Sequence, residues 1–163
     1  DKLSELIKKP NIVAIGEIGL DKAKSVDFNV QTMVFKKQLE LAANIKKPVI
    51  LHCVKSFQEF YLEFANYPNN TYIFHDYAAN FKIATQFLKY DVFFSFGKSL
   101  LMSKSKALDA FMNLPLERIF LETDNYEIDI KAIYKKAADL RGLSIQILKN
   151  KIFDNFEQIF KNK

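Results

Sequence analysis

The chain has 163 residues, 49% of them hydrophobic and 26% charged, with a formal net charge of +5. That length gives room for one domain over residues 1–163 with a substantial core, and the apolar runs are too short and too interrupted to span a bilayer. A single cysteine, Cys53, rules out an internal disulfide and fits a reducing, cytoplasmic setting, while the excess charge is nearly all lysine, scattered over helix surfaces as solvated surface usually is.

Taken in order, Leu3, Leu6 and Ile7 share one face ahead of Pro10, which reads as the last turns of an amphipathic helix in a chain that starts inside a fold. Five apolar runs follow, ending near Glu17, His52, His75, Gly97 and Asp124. Between them apolar residues recur at helical spacing: Phe35, Leu39, Ala42 and Ile45, then Phe57, Phe60, Tyr61 and Phe64, then Phe81, Ala84, Phe87 and Leu88, then Leu108, Phe111 and Met112. Strands alternating with helices of this length predict βαβ units and a parallel sheet. After Asp124 come two helices, the first closed by Gly142 and the second capped by Ser144, with Leu148, Ile152, Phe156 and Ile159 on its buried face. A closed eight-stranded barrel needs about 250 residues. Five strands therefore predict a barrel missing its N-terminal strands, with an open, doubly wound sheet as the alternative.

In either sheet the loops at the carboxyl ends of the strands converge on one face, so Glu17, His52, His75 and Asp124 are expected to meet there. Two imidazoles with two carboxylates suit a divalent metal. Each residue also has a purely structural reading: a hydrogen-bonded histidine at a strand end, or a carboxylate accepting backbone N–H groups at a helix start. Cys53, one residue beyond His52, is expected on the opposite face as a buried, inert thiol.

Several motifs occur together and in order: Gly16-Glu-Ile-Gly-Leu-Asp21, the Gln31, Phe35, Gln38 and Leu39 helix, Lys47-Pro-Val-Ile-Leu-His-Cys53, Ser95-Phe-Gly97, Pro115-Leu-Glu-Arg118 and Leu121-Glu-Thr-Asp124. From about Ile12 to Phe160 the chain resembles the TatD family of metal-dependent deoxyribonucleases. The resemblance implies an α/β TIM barrel of the amidohydrolase-like type and a divalent cation, Mg, Mn or Zn, held by Glu17, His52, His75 and Asp124. It also implies DNA as substrate, Asp124 as general base towards the attacking water, Glu122 as a residue orienting a ligand, and Lys55 as the phosphate contact, because Val54-Lys55 stands where many members carry arginine. The family's His-x-His strand has no counterpart here, and Asp76-Tyr-Ala-Ala-Asn80 replaces a glycine- and serine-bearing loop. From the residues alone Lys55 and Lys98 read equally as ligand contact or surface, and Tyr77 and Tyr126 could stack on a base, although rings in so Phe-rich a chain are more often packing. The leading function is metal-dependent phosphodiester hydrolysis of DNA. The alternatives are hydrolysis of a small ester or amide at the same metal, and a non-catalytic binding module.

Overall fold

Strands and helices alternate from Ile15 to Leu121 as the hydrophobic spacing requires. The computed structural model describes residues 2–161, so Asp1 of the expected first helix lies outside the described residues. The order is α1 (Lys2–Leu6), β1 (Ile15–Asp21), α2 (Phe28–Ile45), β2 (Val49–Val54), α3 (Phe57–Phe64), β3 (Thr71–Phe74), α4 (Phe81–Phe87), β4 (Asp91–Phe96), α5 (Ala107–Asn113), β5 (Ile119–Leu121), α6 (Ile130–Arg141) and α7 (Ile145–Phe160). The strands form one sheet ordered β1-β2-β3-β4-β5, with β1–β2, β2–β3 and β4–β5 paired in parallel. Successive strands can run parallel because a helical crossover returns the chain each time to the same end of the sheet.

The chain divides into two compact units, one running to Phe74 with Phe87–Val92 added, the other comprising His75–Gln86 and the residues from Phe93 onward. The first has an aromatic core. Phe64 stacks on Tyr72 with ring centres 3.7 Å apart, Phe60 lies 4.7 Å from Phe35 and 5.5 Å from Phe74, and Phe87 meets Phe74 edge-on at 5.0 Å. Such pairs contribute about 0.5–1.5 kcal/mol each beyond the area they bury. Asp27 caps α2 by accepting from the N–H groups of Asn29 (2.7 Å) and Val30 (3.2 Å). Lys47, just before β2, donates to the carbonyls of Ile7 and Lys9 and so ties the chain after α1 to the sheet.

In the second unit Phe96 packs on Phe111 and Phe93 on Phe120. Gly142 closes α6 in the left-handed region (φ 63°), and Ser144 caps α7 by accepting from Ile147 N–H, as the sequence predicts. The buried face of α7 differs from expectation at one place. Phe156 is 43% exposed, and Asn155 is buried instead, its Nδ2 donating to the carbonyls of Leu116 and Ile119 at 2.8 Å each. The Leu116 carbonyl also accepts the Ile119 N–H, so Asn155 matters most at the buried Ile119 carbonyl, and the position that reaches it lies three residues after Ile152, not four.

Candidate metal centre

The first apolar run was expected to end at Glu17, but the strand begins at Ile15 and continues to Asp21, leaving Glu17 near its start. Ile15 pairs with Val49 and Ile18 with Leu51, so three steps on β1 match two on β2. The extra residue makes Gly16 and Glu17 a bulge, the device by which strands re-aim a side chain, and Glu17 is exposed. Both glycines of this strand are needed for close approach to β2. A Cβ on Gly16 would lie 2.6 Å from Ile50 Cβ, and one on Gly19 would lie 1.8 Å from the His52 carbonyl oxygen.

That contact fixes the β2 backbone at His52, and Asp21 fixes its ring. His52 Nε2 lies 3.2 Å from Asp21 Oδ2, while Asp21 Oδ1 accepts from Ala23 N–H at 2.7 Å. Gln31 of α2 then clamps the strand end: its Oε1 accepts from Asp21 N–H, and its Nε2 donates to the carbonyls of Asp21 and Val26. Burial opposes ionisation of Asp21, but the hydrogen bonds from Ala23 N–H and His52 outweigh it and hold the carboxyl below its ordinary range. Asp21 and Gln31 belong to the motifs quoted above, yet residue spacing alone gave neither a role. Cys53 is only half-buried, not fully enclosed as expected, and burial still pushes its thiol up to about 12. Lys55 is exposed in the left-handed region (φ 55°) after β2.

In the second unit a matching arrangement surrounds His75, whose side chain is 10% exposed. Its Nδ1 lies 3.5 Å from Glu122 Oε1, and that oxygen accepts from Asp76 N–H at 2.7 Å. Burial again opposes ionisation, but hydrogen bonds from His75, Ser95 and Asp76 N–H keep the Glu122 carboxyl below its ordinary range. Gly97 permits this approach, since a Cβ there would lie 3.1 Å from the Glu122 carbonyl oxygen. Glu122 is the first residue beyond β5 and donates its N–H to Phe96 carbonyl at 3.0 Å. Asp124 follows in an exposed turn with φ 48°, a conformation that aspartate tolerates better than most residues. The cap of α6 is Asp129, not Asp124, just as the cap of α2 is Asp27, not Glu17.

The two tyrosines separate. Tyr77 is 2% exposed, packs edge-on against Phe94 and Phe96, and donates its hydroxyl to Asn80 carbonyl, so of its two readings the packing one holds. Tyr126 is 37% exposed, with Lys98 Nζ 4.3 Å from its ring centre. Among the described residues no helix is long and apolar enough to cross a membrane.

The chain is similar in sequence and in fold to known proteins. The human 3'-5' RNA nuclease TATDN2 is 31% identical over 129 residues, which cover 75% of this chain and 17% of the human protein. The uncharacterized metal-dependent hydrolase MJ1582 of Methanocaldococcus jannaschii is 26% identical over all of this chain and 69% of its own length. The chain therefore spans about one sixth of the human relative and about two thirds of the archaeal one. The crystal structure of YJJV, a TATD homolog from Escherichia coli, superposes on 99% of the chain and 70% of that protein with a TM-score of 0.89 at 22% identity, which shows the shared TIM-barrel type of α/β fold. The family described as TatD related DNase matches residues 1–161, and with sequence and fold in agreement over almost its whole length, the chain belongs to that family.

Proposed function

We propose that the chain carries the site of a metal-dependent phosphodiesterase acting on DNA, with Glu17, His52, His75 and Asp124 as metal ligands. One observation carries the reading: Glu17, His52 and His75 each offer a ligand atom, and these atoms lie within 4.8 Å of one another. A carboxylate with two imidazoles fits a divalent cation, and of Mg, Mn and Zn the imidazoles favour zinc. A cation held there would polarise a phosphoryl oxygen and make a water more acidic. The carboxylates behind the rings support the same reading, because Asp21 on His52 Nε2 and Glu122 on His75 Nδ1 turn the opposite ring nitrogens outward. Asp124 serves as general base by accepting the proton of the attacking water, and its exposed turn leaves the carboxylate accessible. Lys55, exposed beyond β2, meets the substrate phosphate as a charge-assisted donor. The relatives' names agree in class, one a nuclease and one a metal-dependent hydrolase. A reducing, cytoplasmic setting belongs to this reading, in keeping with the single cysteine of the sequence.

The test is cleavage of a labelled DNA oligonucleotide by the purified protein stripped of metal and then given back Zn, Mn or Mg. Activity is expected only with a cation, and Asp124→Asn is expected to lower kcat by about 100- to 10,000-fold, the range for loss of a general base. Cleavage that survives both EDTA and Asp124→Asn overturns the mechanism. Metal-dependent hydrolysis of an ester or amide with DNA left intact reassigns the substrate, and no hydrolysis of either leaves a binding module.

A further inference from the structure

We infer that Lys98 and Tyr126 form a clamp for one nucleotide of single-stranded nucleic acid, the ammonium meeting a phosphate and the phenol ring stacking on an unpaired base. The inference rests on the phosphodiesterase reading and names the part of the substrate that this loop pair selects.

Placement is the first argument. β4 and β5 run parallel, with Phe96 opposite Leu121 as their last pair, so the loops that follow leave the same end of the sheet. Lys98 is the second residue beyond β4, immediately after the Gly97 that approaches Glu122. Tyr126 is two residues beyond Asp124. Tyr126 therefore belongs to the loop that carries Glu122 and Asp124, and Lys98 to the neighbouring loop after β4, at the end of the sheet where folds of this kind bind substrate.

The second argument is that Tyr126 is not a packing residue. Tyr77, on the loop after β3, is 2% exposed between two phenylalanines, whereas Tyr126 is 37% exposed and its ring partner is the ammonium of exposed Lys98. Its backbone is nonetheless fixed, since its N–H donates to Thr123 carbonyl at 3.1 Å and its own carbonyl accepts from Ile128 N–H at 2.8 Å. A ring held in place but left in solvent loses little freedom on stacking against a ligand.

Chemistry names the ligand. Every base has a π-face, and stacking on an aromatic side chain needs no particular sequence. A lysine beside that ring supplies what the adjacent phosphate needs. A base inside a duplex already has both faces covered, so the pair suits an unpaired base in a single strand or at a frayed end. A small ester or amide offers neither partner.

Binding of a short fluorescein-labelled oligo-dT to the whole protein in EDTA, followed by anisotropy, tests the clamp apart from hydrolysis. Tyr126→Ala is expected to weaken binding about 5- to 100-fold, the worth of one base–aromatic stack, and Tyr126→Phe to restore it. Lys98→Ala is expected to reduce the slope of log affinity against log salt by about 0.7, one phosphate on a single strand. An oligonucleotide made abasic at a single position is expected to bind the wild type more weakly wherever that position meets Tyr126, and to bind Tyr126→Ala no differently from the intact strand. The clamp is overturned if wild type fails to bind, if Tyr126→Ala binds within about twofold of wild type, or if Tyr126→Phe is as weak as Tyr126→Ala. Hydrolysis of bis(p-nitrophenyl) phosphate by the zinc-loaded wild type reads the phosphodiesterase site separately. Its absence beside the expected binding pattern sinks the phosphodiesterase and leaves the clamp.

Discussion

Replacing Gly19 by alanine tests whether close backbone approach between β1 and β2 holds this site together. The added Cβ would lie 1.8 Å from the His52 carbonyl oxygen, where an ordinary C···O contact is about 3.3 Å. The strands must then part by about 1.5 Å, nearly a third of the usual spacing of about 4.8 Å, and hydrogen bonds of normal length near the Gly19–His52 pair would stretch beyond any useful distance. Two such bonds at about 0.5–1.5 kcal/mol each, with about 1–3 kcal/mol for overpacking, give a loss of about 4 kcal/mol. That is a large part of the stability of a typical domain, about 5–15 kcal/mol. Gly16→Ala should cost less but still over about 1 kcal/mol, because its contacts, 2.6 Å to Ile50 Cβ and 2.8 Å to the Ile50 carbonyl oxygen, are less severe than 1.8 Å but lie on atoms that move only with the backbone. Gly142→Ala meets nothing within 4 Å and should cost about 1 kcal/mol, through its left-handed backbone alone. Urea unfolding of the three variants, read as midpoints at constant slope, gives the ranking. A Gly19→Ala protein within about 1 kcal/mol of wild type, or one more stable than Gly142→Ala, refutes the argument.

Two further outcomes follow from buried groups. Cys53 titrates at about 12 in the folded protein against 9.0 when unperturbed, so at pH 8 its thiolate fraction is lower by about a thousandfold and native alkylation by iodoacetamide should be slower than in urea by about that factor. The folded chain also keeps this proton to higher pH than the unfolded chain, so stability should fall by about 1 kcal/mol per pH unit above pH 9; Cys53→Ala should remove that part of the slope, and identical alkaline slopes would contradict it. Asn155→Ala leaves the buried Ile119 carbonyl without this donor and removes one of the two donors to the Leu116 carbonyl, so it should destabilise by about 1–3 kcal/mol in urea, a loss below about 0.5 kcal/mol being incompatible with the two hydrogen bonds.

What the sequence reveals here is governed by how local the cause is. Gly142 and Ser144 mark the junction of α6 and α7 because both act within a few residues of themselves, through a left-handed turn and a side-chain cap. The apolar runs locate all five strands for a similar reason, since burial of neighbouring residues leaves a short-range pattern. β1 is displaced from its run because Gly16 and Gly19 interrupt the hydrophobicity where β2 comes too close for side chains, a cause that lies some thirty residues away. Asn155 and Phe156 change places for the same kind of reason: hydropathy ranks the ring above the amide, but the two carbonyls that decide the matter come from Leu116 and Ile119. The histidines stand out because this chain has only two, whereas their partners Asp21 and Glu122 are two acidic residues among nineteen.

The two imidazoles are held from opposite sides, His52 through Nε2 and His75 through Nδ1. With both carboxyls ionised, the proton of each neutral ring is drawn to the held nitrogen, so the two rings are opposite tautomers of one side chain. They are consequently not interchangeable under amide replacement. The shorter asparagine reaches about as far as Nδ1 and is the closer mimic of the outward nitrogen at position 52, whereas the longer glutamine reaches about as far as Nε2 and is the closer mimic at position 75. The proposed metal site would thus draw on two different lengths of the same residue, and a chain that drifted by a single substitution at either position would keep the proposed ligand atom only with the amide of the matching length.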